Sequence, residues 1–169
     1  MQHGTAAELI IKRNPQNMDI QGIHDRGTKT INAIYGPYLL PQIFDSWGSH
    51  KEDFKFNELF AVYGLYLSDF ELLTPLETEA VVYATISCLG LGGPGNWHLR
   101  GMGRMLGARG KSDSGKNAEV KGQLKSLRSA VMKVVEFAGE DFVARAKLDQ
   151  WADVEKMLVD FEGYGDDPL

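Results

Sequence analysis

The chain of 169 residues contains one cysteine and no excess of positive charge. Cys88 cannot form a disulfide within the chain, so a reducing, cytoplasmic compartment is expected, with an organelle as the alternative. The 18 lysines and arginines are outnumbered by 23 aspartates and glutamates, and the formal net charge is −5. Nucleic acid is therefore not an expected partner, because no basic excess is present to neutralise its phosphates.

Long apolar runs are also missing. The longest, residues 80–92, is interrupted by Thr85 and Ser87 and is shorter than the roughly 20 residues that a transmembrane helix needs. Residues 1–15 lack the apolar core and the small-residue cleavage site of a secretory signal. We therefore predict a soluble chain with no membrane partner. Its 43% of hydrophobic residues suit a single core.

The apolar residues that are present recur with a helical period. Over residues 52–67 they stand three or four positions apart, at Phe56, Leu59, Phe60, Tyr63 and Leu67. Such a stripe is typical of a helix that faces a core. Similar patterns predict a helix from Asp19 to Ile34, ended by Gly36 and Pro37, and another over residues 39–47. We predict an all-α fold with six to eight helices.

The clearest helix start is Thr74-Pro75-Leu76-Glu77, because Thr caps free amides, Pro suits the first helical position and Glu completes a capping box. This helix should run to about Leu89 and, being apolar on nearly every side, should lie at the centre of the domain. Residues 90–95 should break it before a helix over residues 97–106. Further helices are predicted over residues 117–138 and 140–161. The expected organisation is a flexible arm (1–18), one domain (19–162) and a frayed tail (163–169).

Glu79 is the unusual residue of the predicted central helix. It shares a face with Leu76, Tyr83 and Ile86, so the helical period points its carboxylate inward, where an unpaired charge is costly. His98 on the next helix is the candidate partner. Together they could form a proton relay, because imidazole titrates near neutrality and a carboxylate fixes its tautomer. On spacing alone, a satisfied polar pair without a catalytic role is the alternative.

Two segments together resemble a known superfamily. They are Thr74-Pro75-Leu76-Glu77-Thr78-Glu79 and, after an apolar helix, Trp97-His98-Leu99-Arg100-Gly101. They resemble the carboxymuconolactone decarboxylase and AhpD-like alkylhydroperoxidase superfamily. His24-Asp25-Arg26-Gly27 and Ile34-Tyr35-Gly36 resemble the amino-terminal helix of its decarboxylase branch, so the resemblance covers roughly residues 20–160. That branch carries a Glu and a His 19 positions apart, the spacing of Glu79 and His98 here.

The resemblance implies an AhpD-like helical domain with a central buried helix pair, catalysis by His98 and Glu79, and assembly as a trimer or hexamer. Arg100 follows the His as a basic residue does in the family, and is expected to hold a substrate carboxylate, with a surface salt bridge as the alternative. Trp97 and Tyr83 are further candidates for substrate binding. Apolar residues of the last two helices could form the interface or pack within one subunit: Leu124, Leu127, Val131, Val134 and Val135.

The chain also departs from the family. Peroxidase members carry Cys-x-x-Cys before the His, whereas these positions here fall near Leu91 and Pro94, which excludes disulfide-based peroxide reduction. The decarboxylases usually carry Glu-Pro-Gln before the His, whereas this chain has Gly93-Pro94-Gly95, so the substrate is open. Cys88 is interpreted as a core residue. Neither a metal nor a cofactor is expected, because metal-ligand spacing and a phosphate-binding loop are lacking.

We therefore expect a cofactor-independent, decarboxylase-like lyase that acts on a small molecule by His/Glu acid–base chemistry. Its substrate would be a carboxylated lactone, a β-keto acid or an enolisable ring compound, in a biosynthetic or aromatic-degradation pathway. Such substrates accept the electron pair that decarboxylation leaves behind. The alternatives are an isomerase, dehydratase or cyclase on the same scaffold, and a non-catalytic helical assembly module. An enzyme should have an apolar pocket that reaches His98, and a module should have that space filled.

Overall fold

The computed structural model describes residues 19–68, 73–110, 112–143, 151, 153–155 and 157. These residues form five α-helices and no strand, which confirms the all-α prediction but falls short of the six to eight helices expected. The helices are α1 (Ile20–Ser46), α2 (Lys51–Phe56), α3 (Pro75–Cys88), α4 (Gly92–Met105) and α5 (Gly115–Ala138). A 3₁₀ turn, Gly48–His50, precedes α2, and a π-helix, Asn57–Tyr66, continues it. The predicted arm and tail lie outside the described residues.

Helix α1 bends in its middle, at the Gly-Pro pair that the sequence predicts as a helix end. Gly36 has φ +80° and ψ 172°, a conformation that a residue with a side chain rarely adopts. Pro37 has no N–H to donate to the preceding turn. The two predicted helices are therefore the two arms of one bent helix. The bend frees backbone carbonyls, and that of Tyr35 accepts a hydrogen bond from Arg100 Nη1 at 2.9 Å.

The π-helix packs tightly against the first arm of α1. A Cβ added to Gly27 would collide with backbone atoms of Leu59 and Gly64, so the two backbones touch where Gly27 and Gly64 meet. The carbonyl of Gly64 accepts a hydrogen bond from Arg26 Nε at 2.6 Å. Of the predicted apolar stripe, Leu59 and Tyr63 are buried, whereas Phe56 is 64% exposed. The expectation that Phe56 faces the core is therefore wrong.

Helix α3 begins as predicted. Thr74 Oγ1 accepts from the Glu77 N–H at 3.3 Å, and Glu77 Oε2 accepts from the Thr74 N–H at 2.8 Å, which completes the capping box. The helix is not central, however. Only Glu79, Tyr83 and Ser87 are buried on it, and its other apolar residues lie at the surface or are partly covered. The prediction failed because the apolar composition of a helix does not fix how much of its surface packs against the rest of the domain.

Helix α4 is the central element and packs against α1, α3 and α5. Its glycine-rich start was expected to be a break, yet Gly92 to Gly95 form its first turn. This is allowed because the first amides of a helix need no partner within it, so Pro94 loses no hydrogen bond there. Only residues 89–91 separate α3 from α4. Gly101 lets α4 approach α1 closely, because a Cβ there would stand 2.8 Å from Ile34 Cγ2.

Helix α5 packs against α4 and buries Val120 and Leu124 in one apolar cluster with Leu99 and Met102. The predicted helix over residues 140–161 does not begin at Glu140, because residues 140–143 form turns after Gly139, whose φ is +85°. Residues 151 and 153–155 are not helical either. Most of the remaining predicted span lies outside the described residues. Across the described part of the chain, no helix combines the length and the apolar character that crossing a membrane requires.

Candidate functional site

Glu79 and His98 meet in the interior, as their spacing predicts. The short connection between α3 and α4 folds the two helices against each other, and His98 Nδ1 lies 2.6 Å from Glu79 Oε1. The contact is direct. Both residues are almost fully buried, with 2% of Glu79 and 3% of His98 exposed. The carboxylate therefore holds the imidazole in one orientation.

Two tyrosines extend this pair into a chain of four side chains. Tyr35, the last residue before the bend of α1, places its hydroxyl 3.0 Å from His98 Nε2. The Tyr63 hydroxyl, from the π-helix, lies 2.8 Å from that of Tyr35. The Tyr35 ring also packs edge-on against His98 and Trp97, with ring centroids 5.5 and 6.3 Å apart. Four different elements thus contribute to one hydrogen-bonded chain.

The direction of these hydrogen bonds follows from the chemistry of the groups. An ionised carboxylate only accepts, so Nδ1–H of His98 donates to Glu79. In neutral imidazole the other nitrogen then accepts, and Tyr35 O–H donates to Nε2. The oxygen of Tyr35 in turn accepts from Tyr63 O–H. A proton taken up at Nε2 would produce an imidazolium that Glu79 already stabilises.

The chain opens onto a cavity of about 370 Å³. His98, Tyr35 and Tyr63 line it, whereas Glu79 lies behind the imidazole and does not. Most of the other walls are apolar and include Ile31, Ile43, Phe44, Trp47, Val62 and Trp97. This volume falls within the range of about 300–1,000 Å³ that is common for small-molecule sites.

Burial sets the protonation of the hydroxyl and carboxyl groups at the cavity. It raises the pKa of Tyr35 and Tyr63 well above the ordinary tyrosine value, so both hydroxyls stay protonated at neutral pH. Glu58, on the first turn of the π-helix, also lines the cavity. Burial raises the pKa of its carboxyl, and the nearby charge of His98 opposes that rise. The cavity thus combines a basic nitrogen with three groups that can hold a proton.

The three residues predicted to bind substrate lie in three different places. Trp97 lines the cavity. Arg100 is fully buried and donates to the backbone of α1, so it supports the bend beside Tyr35 and does not line the cavity. Tyr83 is fully buried in the cluster with Leu99. Cys88, interpreted as a core residue, is half-buried, and burial raises the pKa of its thiol.

Sequence reasoning missed Tyr35, Tyr63 and Glu58. Tyr63 belongs to the predicted apolar stripe. Tyr35 precedes the Gly-Pro pair, where backbone carbonyls without a partner in the helix can accept hydrogen bonds from side chains of other helices. Glu58 gave no local signal. Among the described residues, no group of three or more His, Cys, Asp or Glu side chains could hold a metal ion.

Comparison with family models, curated proteins and solved structures finds no match to this chain. The resemblance to the carboxymuconolactone decarboxylase family therefore stays a prediction. It rests on the residues quoted above and on their spacing.

Proposed function

We propose that this protein is a cofactor-independent acid–base enzyme that acts on a small, enolisable ring compound. The observation that carries the proposal is the buried Glu79–His98–Tyr35 chain at the wall of an apolar cavity. A proton leaving a substrate carbon would pass to the Tyr35 oxygen as the Tyr35 hydroxyl proton moves to Nε2 of His98, and Glu79 would stabilise the resulting imidazolium. The apolar walls would exclude water from the reacting carbon.

This chemistry permits several outcomes. Decarboxylation of a lactone or β-keto acid needs a proton donor for the carbanion or enolate left behind, and protonated His98 can supply it. Isomerisation, dehydration or ring closure needs a base and an acid in the same cavity. The open space beside His98 favours any of these over a non-catalytic module, because a module was expected to have that space filled.

The test compares wild type with His98→Ala and His98→Gln against β-keto acids, lactones and enolisable aromatic compounds. Carbon dioxide release and product mass are followed together, because the mass separates decarboxylation from isomerisation. We expect turnover by wild type and a loss of about a hundredfold or more in both variants.

Circular dichroism provides the control for folding, and the Gln variant can still hydrogen-bond to Glu79 if the Ala variant unfolds. No turnover by wild type on any compound would contradict the proposal and favour the assembly module.

We also propose that the protein is a homo-oligomer, a trimer or a hexamer. Large apolar side chains are exposed on α3 and α5 and would be covered by neighbouring copies: Val81 is 56% exposed, Val134 66% and Phe137 93%. Leu124 and Leu127, by contrast, pack within the subunit. The cytoplasmic location expected from the single cysteine remains a prediction.

A further inference from the structure

Glu58 is a polar side chain of the cavity that belongs neither to the Glu79–His98–Tyr35 chain nor to the contacts that hold the helices together. It is half-buried, lines the cavity and makes no hydrogen bond or ion pair with another described residue. A carboxyl group without such partners contributes little to holding the π-helix in place. Its place in the lining of a mostly apolar cavity favours a role toward a bound molecule.

Among the described residues that line the cavity, His98 alone could act as a cation toward Glu58, and Glu79 already balances its charge. No lysine or arginine is among the described residues that line the cavity. Arg100, the arginine nearest in sequence to His98, directs Nη1 to the carbonyl of Tyr35. A substrate carboxylate would therefore share a mostly apolar space with Glu58, and one of the two carboxyl groups would have to take up a proton.

We propose that Glu58 is the acid that acts in the same cavity as the Tyr35–His98 pair, and that the cavity accepts uncharged ring ketones and phenols in preference to carboxylates. This inference rests on the proposed function and narrows it to proton transfer without loss of carbon dioxide. Arg100 then supports the bend of α1 and does not bind a substrate carboxylate.

The step balances within the cavity. The substrate C–H bond beside a carbonyl breaks, and its electron pair forms the C=C bond of an enol. The C–H proton passes to the Tyr35 oxygen while the Tyr35 hydroxyl proton moves to Nε2 of His98. Glu58 takes up a proton from solvent when the uncharged ketone binds beside it, and the carbonyl oxygen takes that proton. Glu58 is left as a carboxylate and His98 as an imidazolium. The enzyme is restored when one proton returns to the same or another carbon and the enol O–H proton returns to Glu58.

A binding experiment tests the charge preference. Wild type, Glu58→Gln and Glu52→Gln are titrated calorimetrically at pH 7 with 2-naphthol and with 2-naphthoate, which share one ring system. Glu52 is the matched control, because it is an exposed glutamate on the preceding helix α2. We expect wild type to bind the naphthol about tenfold or more tightly than the naphthoate. Glu58→Gln should reduce the ratio of the naphthol affinity to the naphthoate affinity about tenfold, and Glu52→Gln should leave this ratio unchanged.

An exchange experiment tests the acid. In D₂O, wild type should speed the incorporation of deuterium beside the carbonyl of 2-tetralone above the buffer rate, as followed by NMR. Glu58→Gln should lower this rate by about a hundredfold, because Gln fills the same space but has no proton to give. Its binding of 2-naphthol should remain. His98→Gln should abolish the exchange, and Glu52→Gln should match wild type.

The two experiments separate the two ideas. Exchange that depends on His98 but persists in Glu58→Gln overturns the role of Glu58 and leaves the proposed function standing. Equal binding of naphthol and naphthoate by wild type, or binding of neither, overturns the substrate preference. If wild type binds naphthol but catalyses no exchange, the proposed function is contradicted. The charge preference can still be tested in that case, by comparing the naphthoate affinities of wild type and Glu58→Gln.

Discussion

The imidazole of His98 is held at both nitrogens, by Glu79 on one side and Tyr35 on the other. This arrangement fixes which nitrogen faces the cavity and leaves little freedom for the ring. Glu79 does not line the cavity, so its effect on chemistry passes through His98. It is a positioning residue, and His98 would exchange protons with a substrate through the Tyr35 hydroxyl.

Removing both members of this pair together should cost less stability than the sum of the losses in the two single variants. His98→Ala leaves the Glu79 carboxylate buried without its partner, at a cost of about 3–5 kcal/mol in the free energy of unfolding. The double variant, with Glu79→Ala added, should fall short of the sum of the single effects by about 0.5–3 kcal/mol. Urea denaturation of the four proteins, followed by circular dichroism, measures this coupling.

The exposed ion pair between Lys51 and Asp45 is the control for that cycle. It should show no measurable coupling, because solvent screens exposed charges. Additive effects of Glu79→Ala and His98→Ala would mean that the contact between them contributes nothing of its own to stability.

At the scale of elements, helix α1 touches its neighbours where glycines allow two backbones to meet. Gly27 faces backbone atoms of the π-helix, whereas Gly122 on α5 is exposed and would have no atom within 4 Å of an added Cβ. The same substitution should therefore have opposite effects at these two positions.

Gly27→Ala should lower the free energy of unfolding by about 1–3 kcal/mol, because the added methyl group forces the two backbones apart. Gly122→Ala should raise it by about 0.5–1 kcal/mol, since alanine favours an exposed helix interior. Thermal and urea denaturation measure both. Equal effects would mean that the close approach of α1 and the π-helix does not exist in solution.

Local chemistry made the start of α3 and the Glu79–His98 pair predictable, but not the start of α4. Thr74 and Glu77 are close in sequence, so the geometry of the capping box is local. The connection from α3 to α4 is short, so the position of His98 relative to Glu79 is largely local too. Tyr35 reaches His98 from 63 positions away, and such a contact depends on how helices pack. A π-helix and an α-helix have similar apolar patterns, so the wider turns of residues 57–66 were not visible either.

For the whole molecule, Glu58 makes stability depend on pH in an unusual direction. Its neighbours in the cavity are Tyr35 on α1, Tyr63 on the π-helix and His98 on α4. Burial is the larger influence and raises its folded-state pKa above the ordinary 4.5. Between these two pKa values the folded state binds more protons than the unfolded state, so the contribution of Glu58 to stability falls as the pH rises.

Glu58→Gln should therefore be more stable than wild type at pH 7, because Gln has no charge to bury. The difference should shrink as the pH falls and vanish at about pH 4 or below, where the carboxyl is protonated in both states. Melting temperatures of wild type, Glu58→Gln and Glu52→Gln across this range measure the effect. A variant that melts below wild type at pH 7 would show that Glu58 has a structural role.

The π-helix also bears on how such a cavity could change over generations. In an α-helix, positions five apart point about 140° away from each other, but here the backbone closes hydrogen bonds over five residues, as between Leu67 N–H and Val62 O at 2.9 Å. That wider turn brings Glu58 and Tyr63 to the same cavity. The loss of one codon in this segment would restore ordinary helical turns, and either Glu58 or Tyr63 would then no longer face the cavity. The chemistry of this wall is therefore open to insertion and deletion as well as to substitution.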